Sequence, residues 1–160
     1  MNETVGTLVS QLLYDVTTHS ADETIAFGQK LAKVLEPPCA VLLEGDLGSG
    51  KTTLTKGIVA GLGVAREEEV TSPSFTLVHE YGDRSGSTGQ GIRVYHADLY
   101  RIEGWREIES LGLDELFGPQ STVLIEWGDK LPELPPGPKV RIRFEALGED
   151  ERRILVEKET

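Results

Sequence analysis

The segment most suited to chemistry is LLEGDLGSGKTTLTKGI, a run of small and polar residues between two apolar stretches. Eight of its residues match the pattern G-x-x-x-x-G-K-[ST] in full: Gly45, Asp46, Leu47, Gly48, Ser49, Gly50, Lys51 and Thr52. In such a loop the backbone N–H groups turn toward phosphate oxygens, the lysine supplies positive charge at the terminal phosphates, and the last hydroxyl can bind Mg²⁺. The pattern therefore predicts a nucleoside triphosphate site, and the alternative is a glycine-rich turn with a solvated Lys51.

Two carboxylates are candidates for completing a magnesium nucleotide site. Asp98 directly follows the hydrophobic run IRVYHA, and Glu126 closes the run TVLI. Carboxylates at the ends of buried strands lie where ligands gather in open α/β sheets, so both could act at a metal ion. Spacing leaves alternatives open, because Asp98 fits a turn or cap residue and Glu126 fits a solvated edge residue.

Weaker candidates lie in three further places. The turn at 71–74 carries hydroxyls around Pro73 and fits either a switch loop that senses a γ-phosphate or an ordinary turn. Trp105 and Trp127 could stack on a base, although buried tryptophans more often belong to the core. The histidines share no metal-ligand spacing and are interpreted as structural: His19, His79 and His96.

Hydrophobic patterning predicts the elements that position these residues. Ser20 and Glu23 have capping-box spacing before an apolar stripe, and the apolar run before the loop suits a strand buried on both faces. Helices are predicted at 21–36, 51–63 and 105–117, and strands at 40–45, 76–81, 92–97, 122–127, 140–146 and 152–157. The first residues, including TVGTLVSQLL, fit either a short helix or a strand, and 1–160 forms one predicted domain.

Composition limits the classes of function. Lys and Arg number 16 against 27 Asp and Glu, a net charge of −11, which disfavours direct binding to nucleic acid. The single Cys39 indicates a reducing, cytoplasmic setting, and the sequence shows neither a leader pattern nor an apolar stretch of membrane-spanning length. The segment EWGDKLPEL lacks the N/T-K-x-D pattern of guanine-specific enzymes, so ATP is favoured over GTP.

Five segments occur in order: GDLGSGKTT, TSPSFTLVHEY, YHADLYR, LGLDELF and LIEW. As a set they resemble the TsaE family, the small ATPase of bacterial tRNA threonylcarbamoyladenosine biosynthesis, over residues 20–127. The resemblance implies an α/β, P-loop NTPase-like three-layer fold, with a mixed central sheet and helices on its faces. It also implies binding of ATP and Mg²⁺, with hydrolysis supporting a TsaB–TsaD complex that modifies adenosine 37 of tRNAs reading codons that begin with A.

The resemblance assigns roles by position. It makes residues 45–53, which include Thr53, the nucleotide loop, and it makes Thr52 a magnesium ligand. It makes Asp98 a Walker B-like acid and Glu126 an acidic group that acts at the metal or at the attacking water. It further implies a switch at 71–75 and places 20–24 near the base, with tRNA held only through the partners. Two alternatives stay open, a small-molecule kinase and a nucleotide-gated subunit without catalysis.

Two segments depart from the family pattern. Residues 1–12 form a possible N-terminal extension, and the loop at 83–91 is long. Neither touches a motif, so both bear on partner contacts more than on ATP binding. Hydrolysis is expected to be slow, because no arginine finger is evident, although Arg101 in cis or a partner could supply one.

Overall fold

A computed structural model describes residues 10–46, 50–70, 78–82, 91–127, 131, 133, 135 and 137–159. Its strands are β1 Ser10–Thr18, β2 Cys39–Glu44, β3 Val78–Gly82, β4 Arg93–Asp98, β5 Ser121–Glu126, β6 Lys139–Ala146 and β7 Arg152–Glu159. Its α-helices are α1 Ala21–Leu31, α2 Lys51–Gly61 and α3 Trp105–Ser110, with 3₁₀ turns at Ala32–Leu35, Glu67–Glu69 and Leu113–Glu115. Among these residues, no helix is long and apolar enough to span a membrane.

The described strands form one mixed sheet in the order β1-β7-β6-β2-β5-β4-β3. The four central strands β6, β2, β5 and β4 run parallel, while β3 at one edge and β7 and β1 at the other pair antiparallel with their neighbours. The carboxyl ends of the parallel strands therefore share one edge of the sheet, where ligands bind in folds of this type. The predicted mixed α/β architecture is confirmed.

Two apolar clusters cover opposite faces of the sheet. Val41 and Leu43 of β2 pack with α1 and α2, whereas Leu42 packs on the side of α3. Successive strand side chains point to opposite faces, so an apolar run is required where both faces are covered. This arrangement explains the continuous hydrophobic sequence before the glycine-rich loop and gives the three layers.

Helices α1 and α2 approach closely through glycines. A Cβ placed on Gly57 would lie 2.0 Å from the carbonyl oxygen of Ile25, and one on Gly28 would lie 2.5 Å from the carbonyl oxygen of Leu54. Both distances are far below a normal contact, so the two backbones touch only because side chains are absent. This glycine seam fixes α2, whose first residues are Lys51 and Thr52.

Most predicted elements are present, with two notable differences. The Ser20 hydroxyl accepts a hydrogen bond from the Glu23 N–H at 3.1 Å, as the capping pattern predicts. The helix predicted at 105–117 is wrong in its extent, because α3 ends at Ser110 and Gly112 adopts a left-handed φ of 66° before a short 3₁₀ turn. The unassigned start of the chain contains β1, which includes residues 10–12 of the possible extension.

Several predicted features lie outside the described residues. These are the loop positions Leu47, Gly48 and Ser49, the switch-like turn at 71–75, the first residues of the strand predicted at 76–81, most of the 83–91 loop, and residues 1–9.

Candidate active site

A cavity of about 280 Å³ opens at the carboxyl edge of the parallel strands. Its walls come from the starts of α1 and α2, the ends of β4 and β5, and the β6–β7 turn. The lining residues are Ser20, Ala21, Thr24, Gly50, Lys51, Thr52, Thr53, Asp98, Glu126, Trp127, Asp150 and Arg152. The structure thus brings four predicted residues of the nucleotide loop, Gly50, Lys51, Thr52 and Thr53, together with both predicted carboxylates.

The glycine-rich loop connects β2 to α2, as the motif requires. Gly45 has a φ of 155° and Gly50, the N-cap of α2, has a φ of 109°. At Gly50 this is the left-handed region, which side chains other than glycine rarely adopt. Gly50, Lys51, Thr52 and Thr53 line the cavity, so the N-terminus of α2 faces it, as an anion site needs.

Lys51, the first residue of α2, is held in a fixed position at the end of this loop. It is only 5% exposed, and its Nζ donates a hydrogen bond to the Gly45 carbonyl oxygen at 2.5 Å. The same Nζ lies 3.7 Å from the ring centroid of Trp127, a cation–π contact. A buried positive charge is thereby fixed beside the loop that the motif predicts to cradle phosphates.

The two carboxylates occupy adjacent positions on neighbouring strands. Asp98 of β4 pairs in register with Glu126 of β5, and both are buried. Oδ1 of Asp98 accepts a hydrogen bond from the Tyr100 N–H at 2.9 Å, and the Thr52 hydroxyl donates to Oε2 of Glu126 over a longer 3.4 Å. Two carboxylates and a hydroxyl form the oxygen-rich ligand set that Mg²⁺ prefers, so these residues fit a magnesium ion.

His96 contacts Glu126 from behind the cavity. Its Nε2 lies 2.5 Å from Oε2 of Glu126, and the ring is fully buried. The contact joins an imidazole nitrogen to a carboxylate oxygen inside the protein. Nδ1, the other ring nitrogen, is buried without a hydrogen-bond partner among the described residues.

The sequence interpretation of His96 as merely structural missed this contact. His96 and Asp98 stand two residues apart on β4, so their side chains point to the same face of the sheet. That alternation is a signal in the sequence, but it becomes informative only once β4 and β5 are known to be neighbours.

Trp127 lines the cavity and also packs against the apolar cluster on the α3 side of the sheet. Its backbone N–H donates to the Leu43 carbonyl at 2.9 Å, and its φ of 64° is left-handed, a rare conformation for a bulky residue. The indole packs against Tyr100 with ring centroids 5.1 Å apart and covers the Lys51 ammonium. The turn after β5 therefore directs this side chain over the loop lysine.

The β6–β7 turn supplies two lining residues that the sequence interpretation did not single out. Asp150 and Arg152 reach the cavity because Arg152 pairs with Ala146 of β6 on one side and with Thr18 of β1 on the other. The pairing with Ala146 closes a local hairpin, whereas the pairing with Thr18 joins segments from opposite ends of the chain, which local sequence patterns do not indicate.

Comparison with known proteins agrees with this geometry. A family model described as "Threonylcarbamoyl adenosine biosynthesis protein TsaE" matches residues 18–154. The chain is similar to the tRNA threonylcarbamoyladenosine biosynthesis protein TsaE of Bacillus subtilis, with 42% identity over 86% of this chain and 80% of the relative. It is also similar to the Treponema pallidum protein of the same name, with 33% identity over 87% of this chain and 96% of that one.

A solved structure gives the same result. The crystal structure of Bacillus subtilis YdiB superposes with a TM-score of 0.68 at 34% identity, covering 93% of this chain and 86% of that one. An identity above 30% over most of both chains, together with a family match that spans the loop and both carboxylates, leaves one conclusion. The chain belongs to the TsaE family.

Proposed function

We infer that this protein is an ATPase that binds and slowly hydrolyses Mg-ATP in support of tRNA threonylcarbamoyladenosine biosynthesis. The observation that carries the proposal is the convergence of Lys51, Thr52, Asp98 and Glu126 on one cavity at the start of α2. The loop motif explains phosphate binding, and the pair of carboxylates explains a requirement for a divalent cation. The family relationship supplies the pathway.

Binding of the triphosphate depends on Lys51 and the backbone of the loop. The Lys51 ammonium is buried and held between the Gly45 carbonyl and the Trp127 ring. It lies beside the glycine-rich loop, where we expect the terminal phosphates to bind. In a site of low dielectric, a fixed positive charge stabilises phosphate oxygens far more than it does in water. When the nucleotide binds, we expect the Lys51 ammonium to release its hydrogen bond to the Gly45 carbonyl and to bind phosphate oxygens instead.

Hydrolysis relies on a carboxylate in a fixed orientation. His96 holds one oxygen of Glu126, so the carboxylate cannot rotate freely and its other oxygen is directed by that bond. Glu126 then either ligates the metal or orients the attacking water. Mg²⁺, when bound by Thr52, Asp98 and Glu126, would neutralise charge that develops on the β- and γ-phosphate oxygens.

Turnover by the isolated chain is expected to be slow. Among the described residues, the cavity wall contains one arginine, Arg152, whose Nη1 donates to carbonyl oxygens of the β6–β7 turn. An arginine at the transferring phosphoryl group is worth about 10³ to 10⁵ in rate. A partner that supplies such a group would therefore stimulate hydrolysis strongly.

We propose that this partner is the TsaB–TsaD complex, and that the complex, rather than this chain, holds the tRNA. The net charge of −11 repels a phosphodiester backbone, whereas a subunit that acts through protein contacts needs no basic surface. The single cysteine of the sequence, Cys39, is a buried free thiol that cannot form an internal disulfide. This fits the reducing cytoplasm in which such an assembly would work.

ADP release from Mg-ATP tests the proposal. The purified chain is assayed alone and with TsaB and TsaD, with Lys51→Ala in parallel. Release that depends on Lys51 and rises with the partners supports a partner-stimulated ATPase. ATP binding without release in either condition would indicate a nucleotide-gated subunit, and phosphate transfer to an added small acceptor would indicate a kinase.

A further inference from the structure

The ring of Trp127 lies against the ammonium of Lys51. Nζ of Lys51 is 3.7 Å from the ring centroid, which is a close cation–π contact. Lys51 is buried, and a charge that is taken out of water needs compensating partners. The Trp127 ring and the Gly45 carbonyl supply two of them. The ring therefore helps to keep this buried charge in one place.

The backbone holds Trp127 in an unusual conformation. Its N–H donates to the carbonyl oxygen of Leu43 at the end of β2, 2.9 Å away, and its φ is 64°. Glycine and asparagine adopt such a left-handed φ more easily than a bulky residue does. Costly backbone conformations of this kind cluster at functional sites, where the surrounding structure imposes them. The position of the ring over Lys51 gives this conformation a function.

A second aromatic ring packs against the indole. The ring centroids of Tyr100 and Trp127 are 5.1 Å apart, with the ring planes at 39°. The backbone N–H of Tyr100 donates to Oδ1 of Asp98 at 2.9 Å. The segment that carries this candidate metal ligand thus also restricts the indole, so the orientation of Trp127 is supported from outside its own turn.

We propose that Trp127 is a positioning residue whose ring holds the Lys51 ammonium in place for the phosphates of the bound nucleotide. The inference rests on the proposed function, since it assumes that Lys51 binds those phosphates. A cation–π contact uses the face of the ring, and an ammonium has three donors, so donors remain available for phosphate oxygens. A lysine that is already ordered loses less side-chain entropy when phosphate binds, which raises the affinity.

Other roles for Trp127 predict different results. An indole that stacked on the base would support binding of ADP but not of pyrophosphate, which has no base. An indole that merely obstructed Lys51 would oppose binding of both ligands, so its removal would strengthen both. Positioning of Lys51 predicts an equal loss for the two ligands, because both present phosphates to the same ammonium.

Calorimetry with the full chain and Mg²⁺ measures the binding of ADP and of pyrophosphate. We expect Trp127→Ala to weaken both by about tenfold, and Trp127→Phe, which keeps a smaller ring, to weaken both by less. Alanine also has a Cβ, so the first exchange removes the ring without relaxing the backbone demand at this turn. Tyr100→Ala should give a smaller loss of the same kind. Tyr100 is 42% exposed, so this variant stays informative if Trp127→Ala does not fold.

Acetylation of Lys51 by acetic anhydride, followed by mass spectrometry without nucleotide, detects the contact itself. Loss of the ring should expose the amine and raise the acetylation rate of Lys51 severalfold, while the exposed Lys33 keeps its rate. A purely structural role for Trp127 would lower the melting temperature without a selective change at Lys51.

Tyr81→Ala is the matched control for removal of an aromatic ring. Tyr81 lies on the edge strand β3 and pairs with Val94, four residues before the strand end at Asp98. This variant should bind both ligands as the wild type does and should leave the acetylation rate of Lys51 unchanged.

The possible outcomes are distinct. Unchanged or tighter binding of both ligands by Trp127→Ala overturns the positioning role, as does an unchanged acetylation rate of Lys51. A loss confined to ADP shows base stacking instead. Failure of the wild type to bind ADP, or wild-type binding by Lys51→Ala, would refute the proposed function itself, and the acetylation rate would still test the contact between ring and ammonium.

Discussion

Replacing Gly57 by alanine should destabilise the protein through the contact between α1 and α2. The added Cβ would lie 2.0 Å from the Ile25 carbonyl oxygen and 3.0 Å from the Cα of Gly28. The nearest atoms belong to backbone, so no side-chain rotation can relieve the overlap, and the helices must separate by about 1 Å to restore a tolerable contact. Overpacking of this kind costs about 3 kcal/mol, and alanine recovers about 1 kcal/mol of helix propensity, leaving a net loss of about 2 kcal/mol.

Thermal and urea unfolding measure this loss. A change of about 2 kcal/mol lowers the melting temperature of a domain of this size by roughly 4 to 8 °C. Gly82→Ala is the control, because a Cβ there would have no atom within 4 Å and should change stability by less than about 0.5 kcal/mol. A Gly57→Ala variant as stable as the wild type would refute the glycine seam. Where the variant folds, we expect weaker nucleotide binding, since α2 begins at Lys51.

Three further outcomes follow from the site and the core. His96→Asn should reduce kcat about tenfold in a folded protein, because a hydrogen bond to a buried charged group is lost; an unchanged kcat contradicts the positioning role. Glu126→Gln should retain ADP binding but lose magnesium-dependent hydrolysis, and normal hydrolysis would remove Glu126 from the site. Burial raises the pKa of the Cys39 thiol to about 12, so a disulfide reagent at pH 8 should label this thiol only after unfolding. Because the unfolded thiol ionises at a lower pH than the folded one, the free energy of unfolding should fall as pH rises from about 9 toward 12.

The predictions that succeeded rest on short-range patterns. The strand before the loop, the helix after it and the positions of the carboxylates at strand ends are each defined within a few residues, and parallel strands bring such ends to one edge. Both Asp98 and Glu126 line the cavity; their spacing made them candidates, and the family resemblance favoured Glu126 over the solvated edge residue that spacing had left open. The capping pair at Ser20 and Glu23 succeeded for the same reason.

The features that were missed depend on contacts between distant segments. β1 could not be assigned from its own sequence because its structure is defined by pairing with β7, at the other end of the chain. The contact of His96 with Glu126 likewise depends on β4 and β5 being neighbours, and the position of Arg152 beside Thr18 depends on the pairing of β7 with β1. The helix predicted at 105–117 failed for a local reason, since the left-handed Gly112 interrupts an otherwise suitable apolar pattern.

Equilibrium binding of Mg-ATP to the full chain and to Lys51→Ala tests the central claim most directly. Calorimetry in the presence of Mg²⁺, repeated with EDTA, separates the contribution of Lys51 from that of the metal. We expect saturable binding with one ATP per chain, weakened by EDTA and lost in a folded Lys51→Ala variant. Equal affinity of the wild type and Lys51→Ala would contradict the assignment of this cavity as the nucleotide site.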